Sequence, residues 1–119
     1  MELDSQVTES LPLTETSYFI LLILAVEPSH GYRIMKEVED LSEKRIRLST
    51  GTLYGALRRM LESGWIERVA EPQAPPQNDD RNRKYYALSQ QGRSVLEAEV
   101  RRLGELVQAA RLRHVETSP

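Results

Sequence analysis

The side chains best suited to chemistry lie between Ser49 and Gly64, in the run Ser-Thr-Gly-Thr-Leu-Tyr-Gly-Ala-Leu-Arg-Arg-Met-Leu-Glu-Ser-Gly. Ser49 offers the hydroxyl that an N-cap needs, and Gly64 enters the left-handed conformation that ends a helix, so the run reads as one helix. At about 100° per residue, Leu53, Leu57, Met60 and Leu61 form a core stripe. The other side carries Gly51, Gly55, Arg58 and Glu62, with Thr52 and Arg59 beside them. Glycines on an exposed helix face cost roughly 1 kcal/mol each against alanine. They make sense where something bulky approaches the backbone, and two arginines make that something an anion. A DNA duplex fits: Thr50, Thr52 and Tyr54 would meet base edges in the major groove, while Arg58 and Arg59, a turn further on, would bind phosphate. Tyr54 reads equally well as partial core packing.

Other chemistries find little support. The chain has no cysteine, and its two histidines, His30 and His114, lie too far apart for a metal-ligand spacing, so no metal and no cofactor is expected. Tyr54, Tyr85 and Tyr86 stand without a nucleophile–base pair, and no glycine-rich phosphate loop is present, which argues against an enzyme. The longest apolar run, Tyr18 to Val26, is about half of what a membrane span requires. Its upstream flank holds Glu2, Asp4, Glu9 and Glu15 and no cation, the wrong sign for a signal peptide. A cytoplasmic protein is expected, with no membrane partner. The net charge of −2 hides an uneven distribution: residues 1–43 carry −7, residues 44–84 carry +4 and residues 85–119 carry +1. The positive block holds the arginine-bearing helix.

The elements that must position that helix follow in order. In 119 residues there is room for one core. Residues 1–13 are polar and unpatterned and read as a mobile tail. Thr14 or Thr16 caps a helix that must stop near Val26, because Glu27 precedes Pro28. That helix is apolar all round, so Phe19 and Leu22 call for a cover that a small monomer lacks. Pro28 to Gly31 reads as a turn with Ser29 capping the next helix, in which Ile34, Val38 and Leu41 repeat inward; His30 reads as a structural residue at the helix start. Lys44 to Leu48 alternates as an extended connector. Beyond Gly64 the period falls to two, giving strands around residues 65–70 and 83–88 separated by a proline-rich loop with Asp79 and Asp80. Arg81, Arg83 and Lys84 would stand where the tip of this hairpin touches a phosphate backbone. Ser89 then opens a long helix in which Leu96, Val100, Leu103, Val107, Ala110 and His114 recur at spacings of four and three, a coiled-coil seam that Leu106 widens. This seam and the first helix predict a homodimer. The fold is thus mostly α with a small β-hairpin wing: a winged helix-turn-helix over residues 14–88 and a dimerisation helix over residues 89–115.

Gly31-Tyr32-Arg33-Ile34, Gly51-Thr52-Leu53-Tyr54, Gly64-Trp65-Ile66-Glu67 and Arg83-Lys84-Tyr85-Tyr86-Ala87-Leu88-Ser89 with Gly92 occur in an order that resembles the PadR family of bacterial and archaeal winged-helix transcriptional regulators, over roughly residues 14–113. The resemblance is to the short branch, with one C-terminal helix. It implies a homodimer on a palindromic operator, an interface built from the first and last helices, and repression as the commonest output. Many relatives sense aromatic or drug-like molecules, so the resemblance allows an unidentified effector of that class. One departure stands out: the family usually has proline after the tyrosine of Gly-Thr-Leu-Tyr, where this chain has Gly55. The competing reading is a winged-helix module that binds protein instead of DNA, which the acidic first third and the aspartates of the wing favour.

Overall fold

Thr14 starts the first helix because its hydroxyl accepts the Ser17 N–H at 3.1 Å, and α1 runs over Glu15–Val26 until Glu27, ahead of Pro28, turns extended. The computed structural model describes Val7, residues 9–72 and residues 83–115. Within them follow β1 (Ser29–His30), α2 (Gly31–Leu41), α3 (Thr50–Glu62), β2 (Ile66–Val69), β3 (Tyr85–Leu88) and α4 (Gln90–Leu112).

The sheet differs from a bare hairpin. It has three antiparallel strands in the order β1-β3-β2, with Ser29 opposite Tyr86 and His30 opposite Tyr85. Ser29 is therefore a buried strand residue and not a helix cap. The cap of α2 is His30, whose Nδ1 accepts the Arg33 N–H at 3.3 Å. In the wing, Ile66 pairs with Leu88 and Val69 with Tyr85, so both strands are shorter than their alternation suggested.

Ile20, Leu21, Ile23 and Leu24 of α1 lie at the centre, packed with Ile34 and Val38 of α2, Leu53, Leu57 and Met60 of α3, Ile66, Tyr86, and Val95 and Leu96 of α4. Several expectations change here. Leu96 is 5% exposed and belongs to the domain's own core, so the unpartnered seam of α4 begins only at Val100. The first half of α4 is thereby part of the body and not a separate dimerisation unit. The helix also ends at Leu112, and His114, at φ 63°, has left it. Within the segment read as a mobile tail, residues 1–13, the described residues reach the body. Val7, Leu11 and Leu13 pack against the core, and the Leu13 N–H donates to the buried Glu99 carboxylate at 2.8 Å. Arg102 grips the same carboxylate with two nitrogens, and its hydrogen bonds hold the Glu99 carboxyl below the usual range although burial pushes the other way. Among the described residues no helix is long and apolar enough to cross a membrane, and no cluster of His, Cys, Asp or Glu could hold a metal ion.

Candidate nucleic-acid interface

The start of α3 is fixed by hydroxyls. Ser49 Oγ accepts the Thr52 N–H at 3.1 Å and donates to Thr52 Oγ1 at 2.9 Å. Since Thr52 Oγ1 accepts from within, its own proton is left for an acceptor outside, such as a base edge or a phosphate oxygen. Ser49, Thr50, Gly51 and Thr52 are all exposed. At the other end Gly64 takes φ 79°, and the Trp65 N–H returns to the Met60 carbonyl, closing the helix as its sequence predicted.

The glycine-bearing face is open, unevenly so. A Cβ built on Gly51 would meet nothing within 4 Å, so no contact inside the protein demands glycine there. Gly55 is half-buried, because the Arg59 guanidinium reaches to 3.5 Å of where its Cβ would stand. Tyr54 is 39% exposed, so it packs partly inward as expected and keeps part of its ring outside. Its ring lies across Gly31, where a Cβ would come within 2.5 Å of the hydroxyl oxygen, and its edge remains at the surface. Gly31-Tyr-Arg-Ile and Gly-Thr-Leu-Tyr54 are thus two halves of one contact locking α2 to α3.

Arg58 and Arg59 are exposed and have no carboxylate partner among the described residues, unlike the arginines ahead of α3. Arg33 pairs with Glu27 at 2.6 Å and Glu37 at 3.5 Å, Arg45 with Glu15 at 2.8 Å, and Arg47 with Glu39 at 3.4 Å. The guanidiniums ahead of α3 are thus already engaged, including the two from the connector between α2 and α3. Arg68 lies over the Tyr86 ring. The two cations on α3 are thereby left available to a polyanion.

Arg81 lies outside the described residues. Lys84 is exposed at the start of β3, whereas Arg83 hydrogen-bonds the Tyr85 hydroxyl at the wing base. Tyr85 also donates to Glu71 at 3.1 Å, and His30 meets the Tyr85 ring edge-on at 5.3 Å. Burial, then Arg83 and Arg33, hold the His30 imidazole below its ordinary range. Beside the start of α3, Tyr32 and Lys36 line a small cleft with Arg47 and Leu48. Tyr32 is 68% exposed and was not among the expected contacts; an aromatic at an outward helical position was the available signal.

Of the residues expected at a dimer interface, Val100, Leu106 and Val107 are about half exposed, and Phe19, Leu22, Leu103 and Ala110 are partly buried.

A profile described as the transcriptional regulator PadR-like family matches residues 20–98. Among solved structures, a PadR family transcription regulator of Clostridium difficile superposes with a TM-score of 0.68 at 24% identity, covering 86% of this chain and 100% of that one. A transcriptional regulator of Clostridium thermocellum gives 0.65 at 23%, over 85% and 90%. Bacillus subtilis PadR, solved in complex with operator DNA, gives 0.58 at 20% identity, over 75% of this chain and 48% of its own. A search of curated proteins finds no match.

Proposed function

The chain belongs to the PadR-like family of transcriptional regulators, not of enzymes, since the matched segment, residues 20–98, spans more than half of it; from that membership we propose that it is a sequence-specific DNA-binding regulator, a repressor acting as a homodimer on a palindromic operator. The supporting observation is the open face of α3, where Arg58 and Arg59 lack carboxylate partners among the described residues while their neighbours are paired. Thr50, Thr52 and the free edge of Tyr54 read bases, the arginines and Lys84 bind phosphate, and the open space at Gly51 admits the groove wall. Arg81 and Arg83 come second, at the wing. The half-exposed apolar stripe from Val100 to Val107 supports self-association, because a solvated seam of this kind is stable when a second copy covers it. Release by a small aromatic or drug-like effector completes the reading.

Arg58→Ala is expected to weaken binding to operator and to random duplex alike, and to lower the slope of log K against log salt by about one. Fluorescence anisotropy over a salt series measures both. An unchanged slope removes Arg58 from the interface. Wild-type affinity that vanishes at physiological salt, with a protein partner retained, would favour the interaction module instead.

A further inference from the structure

A cleft of about 390 Å³ lies between the segment ahead of α1 and the turn from α3 into β2, lined by Glu9, Ser10, Ser63, Trp65 and Gln91. Both of its walls are fixed by the body of the protein. On one side the Ser10 N–H donates to the Val7 carbonyl at 3.1 Å, and Val7 and Leu11, flanking that turn, pack against the core. On the other, the Trp65 N–H returns to the Met60 carbonyl at 2.9 Å, the Trp65 carbonyl accepts the Ser89 N–H at 3.0 Å, and the Gln91 side chain lies against Gly64. A ligand entering there meets walls already in place and loses little in ordering them. The lining combines a partly buried aromatic, Trp65, with an exposed acid, Glu9; Ser10, Ser63 and Gln91 add uncharged hydrogen-bonding groups. Among the described residues no cation lines the cleft, and Glu9 has no ionic partner. Its volume falls within the range of small-molecule sites. None of the five residues is among those expected on the DNA or dimer faces, and Glu9 and Ser10 precede the family segment, residues 20–98.

We propose that this cleft binds a small aromatic cation, a flat ring carrying a protonated amine, with the ring on Trp65 and the ammonium against the Glu9 carboxylate. Aromatic rings stack on an indole, and a cation is attracted to the indole face as well as to a carboxylate, so Trp65 and Glu9 select shape and charge together. The serine hydroxyls and the Gln91 carbonyl can accept the remaining ammonium protons. An anion of the same shape meets Glu9 with no cation to offset it, and a neutral analogue keeps only the ring contact. The inference deepens the effector of the preceding section, on which it rests for any consequence at the operator; binding itself is read without DNA. The cleft meets α3 at its C-terminal end, opposite the end that carries Thr50 and Thr52, so its occupant touches the reading helix without competing for bases.

The test follows the fluorescence of Trp65, the only tryptophan of the chain, as the full-length protein is titrated with phenethylamine. Phenethyl alcohol and hydrocinnamate are titrated beside it as neutral and anionic counterparts of similar shape, with calorimetry on the same samples. The amine is expected to bind saturably, the alcohol more weakly and the carboxylate not at all. Glu9→Gln is expected to weaken amine binding about threefold, as the loss of one exposed ion pair does, and to leave the alcohol unchanged. Ser63→Lys sets a cation in the cleft at an exposed position, where the C-terminal end of a helix favours it. It is expected to weaken amine binding by about tenfold or more, because like charges then face each other. Failure of the amine to bind, equal binding of all three probes, or amine binding that both variants retain in full overturns the proposal. Because no DNA is present, each of these results leaves the DNA-binding regulator standing, and the salt series on Arg58→Ala tests that reading by itself.

Discussion

At the scale of single residues, His30 shows how a side chain can hold two elements in register. It pairs in β1, caps α2 through Nδ1 and meets Tyr85 edge-on. To accept the Arg33 N–H, the imidazole must be neutral, with its proton on Nε2. Its pKa is depressed in the folded state, so between the folded and unfolded values the unfolded chain binds more protons. Its stabilisation is therefore present above about pH 6.5, the unfolded value, and lost as pH falls through the folded one. His30→Ala should cost about 1 kcal/mol at pH 8, as other lost caps do, and flatten the dependence of the urea midpoint on pH between 5 and 7. An unaltered pH profile would mean that His30 is not the titrating cap. This role was hidden in the sequence, because histidine is not a preferred cap and a two-residue strand has no period to detect. Thr14, Ser49 and Ser89 were legible for the converse reason: each is a hydroxyl just ahead of a periodic run, and each accepts the N–H three residues on.

At the scale of elements, the glycines divide into positions that packing demands and positions that the fold leaves open. A Cβ on Gly92 would run into the Trp65 carbonyl, backbone that cannot step aside, whereas one on Gly51 meets open space. Gly92→Ala is expected to destabilise by about 3 kcal/mol or more. Gly51→Ala should stabilise by about 0.5–1 kcal/mol through helix propensity, yet weaken DNA binding by filling the space reserved for the groove wall. Urea unfolding and anisotropy on the same two variants separate the effects. A Gly51→Ala protein that is more stable and binds DNA as well as wild type would deny the close approach. The seam of α4 shows where pattern reading runs out. Leu96 and Val100 occupy equivalent places in the four-three spacing, but Leu96 is covered by its own domain and Val100 is 47% exposed. Spacing reports that a face will be covered; it does not report by which chain. The contacts of the N-terminal segment also lie beyond what pattern reports: Leu11 and Leu13 form no period, yet both pack against the core, and the Leu13 N–H donates to Glu99, 86 positions away.

At the scale of the whole molecule, Trp65 sits where α3, the wing and the last helix meet. Its carbonyl accepts the Ser89 N–H at 3.0 Å, the Ser89 hydroxyl donates to the Gly64 carbonyl, and Gly92 presses on the same turn. An aromatic or drug-like compound that releases the operator by shifting α4 should therefore alter Trp65 fluorescence at the same ligand concentration that abolishes DNA binding. Titrating both signals together checks this, and release with no spectral change would place the coupling elsewhere. Fluorescence that changes while DNA stays bound would count against an effector role.

That junction has a mechanical consequence. Held together by these contacts, α3 and α4 would act as the two arms of a single bent lever whose fulcrum is residues 64–65. In a homodimer joined through the outer arms, a few degrees of scissoring between the two copies would swing both inner arms together, spreading or closing the pair of reading tips. The preferred distance between operator half-sites would then be dictated by the pitch at which the outer arms cross, and chains with identical base-reading residues could be tuned to differently spaced operators by changes confined to the far end of the molecule.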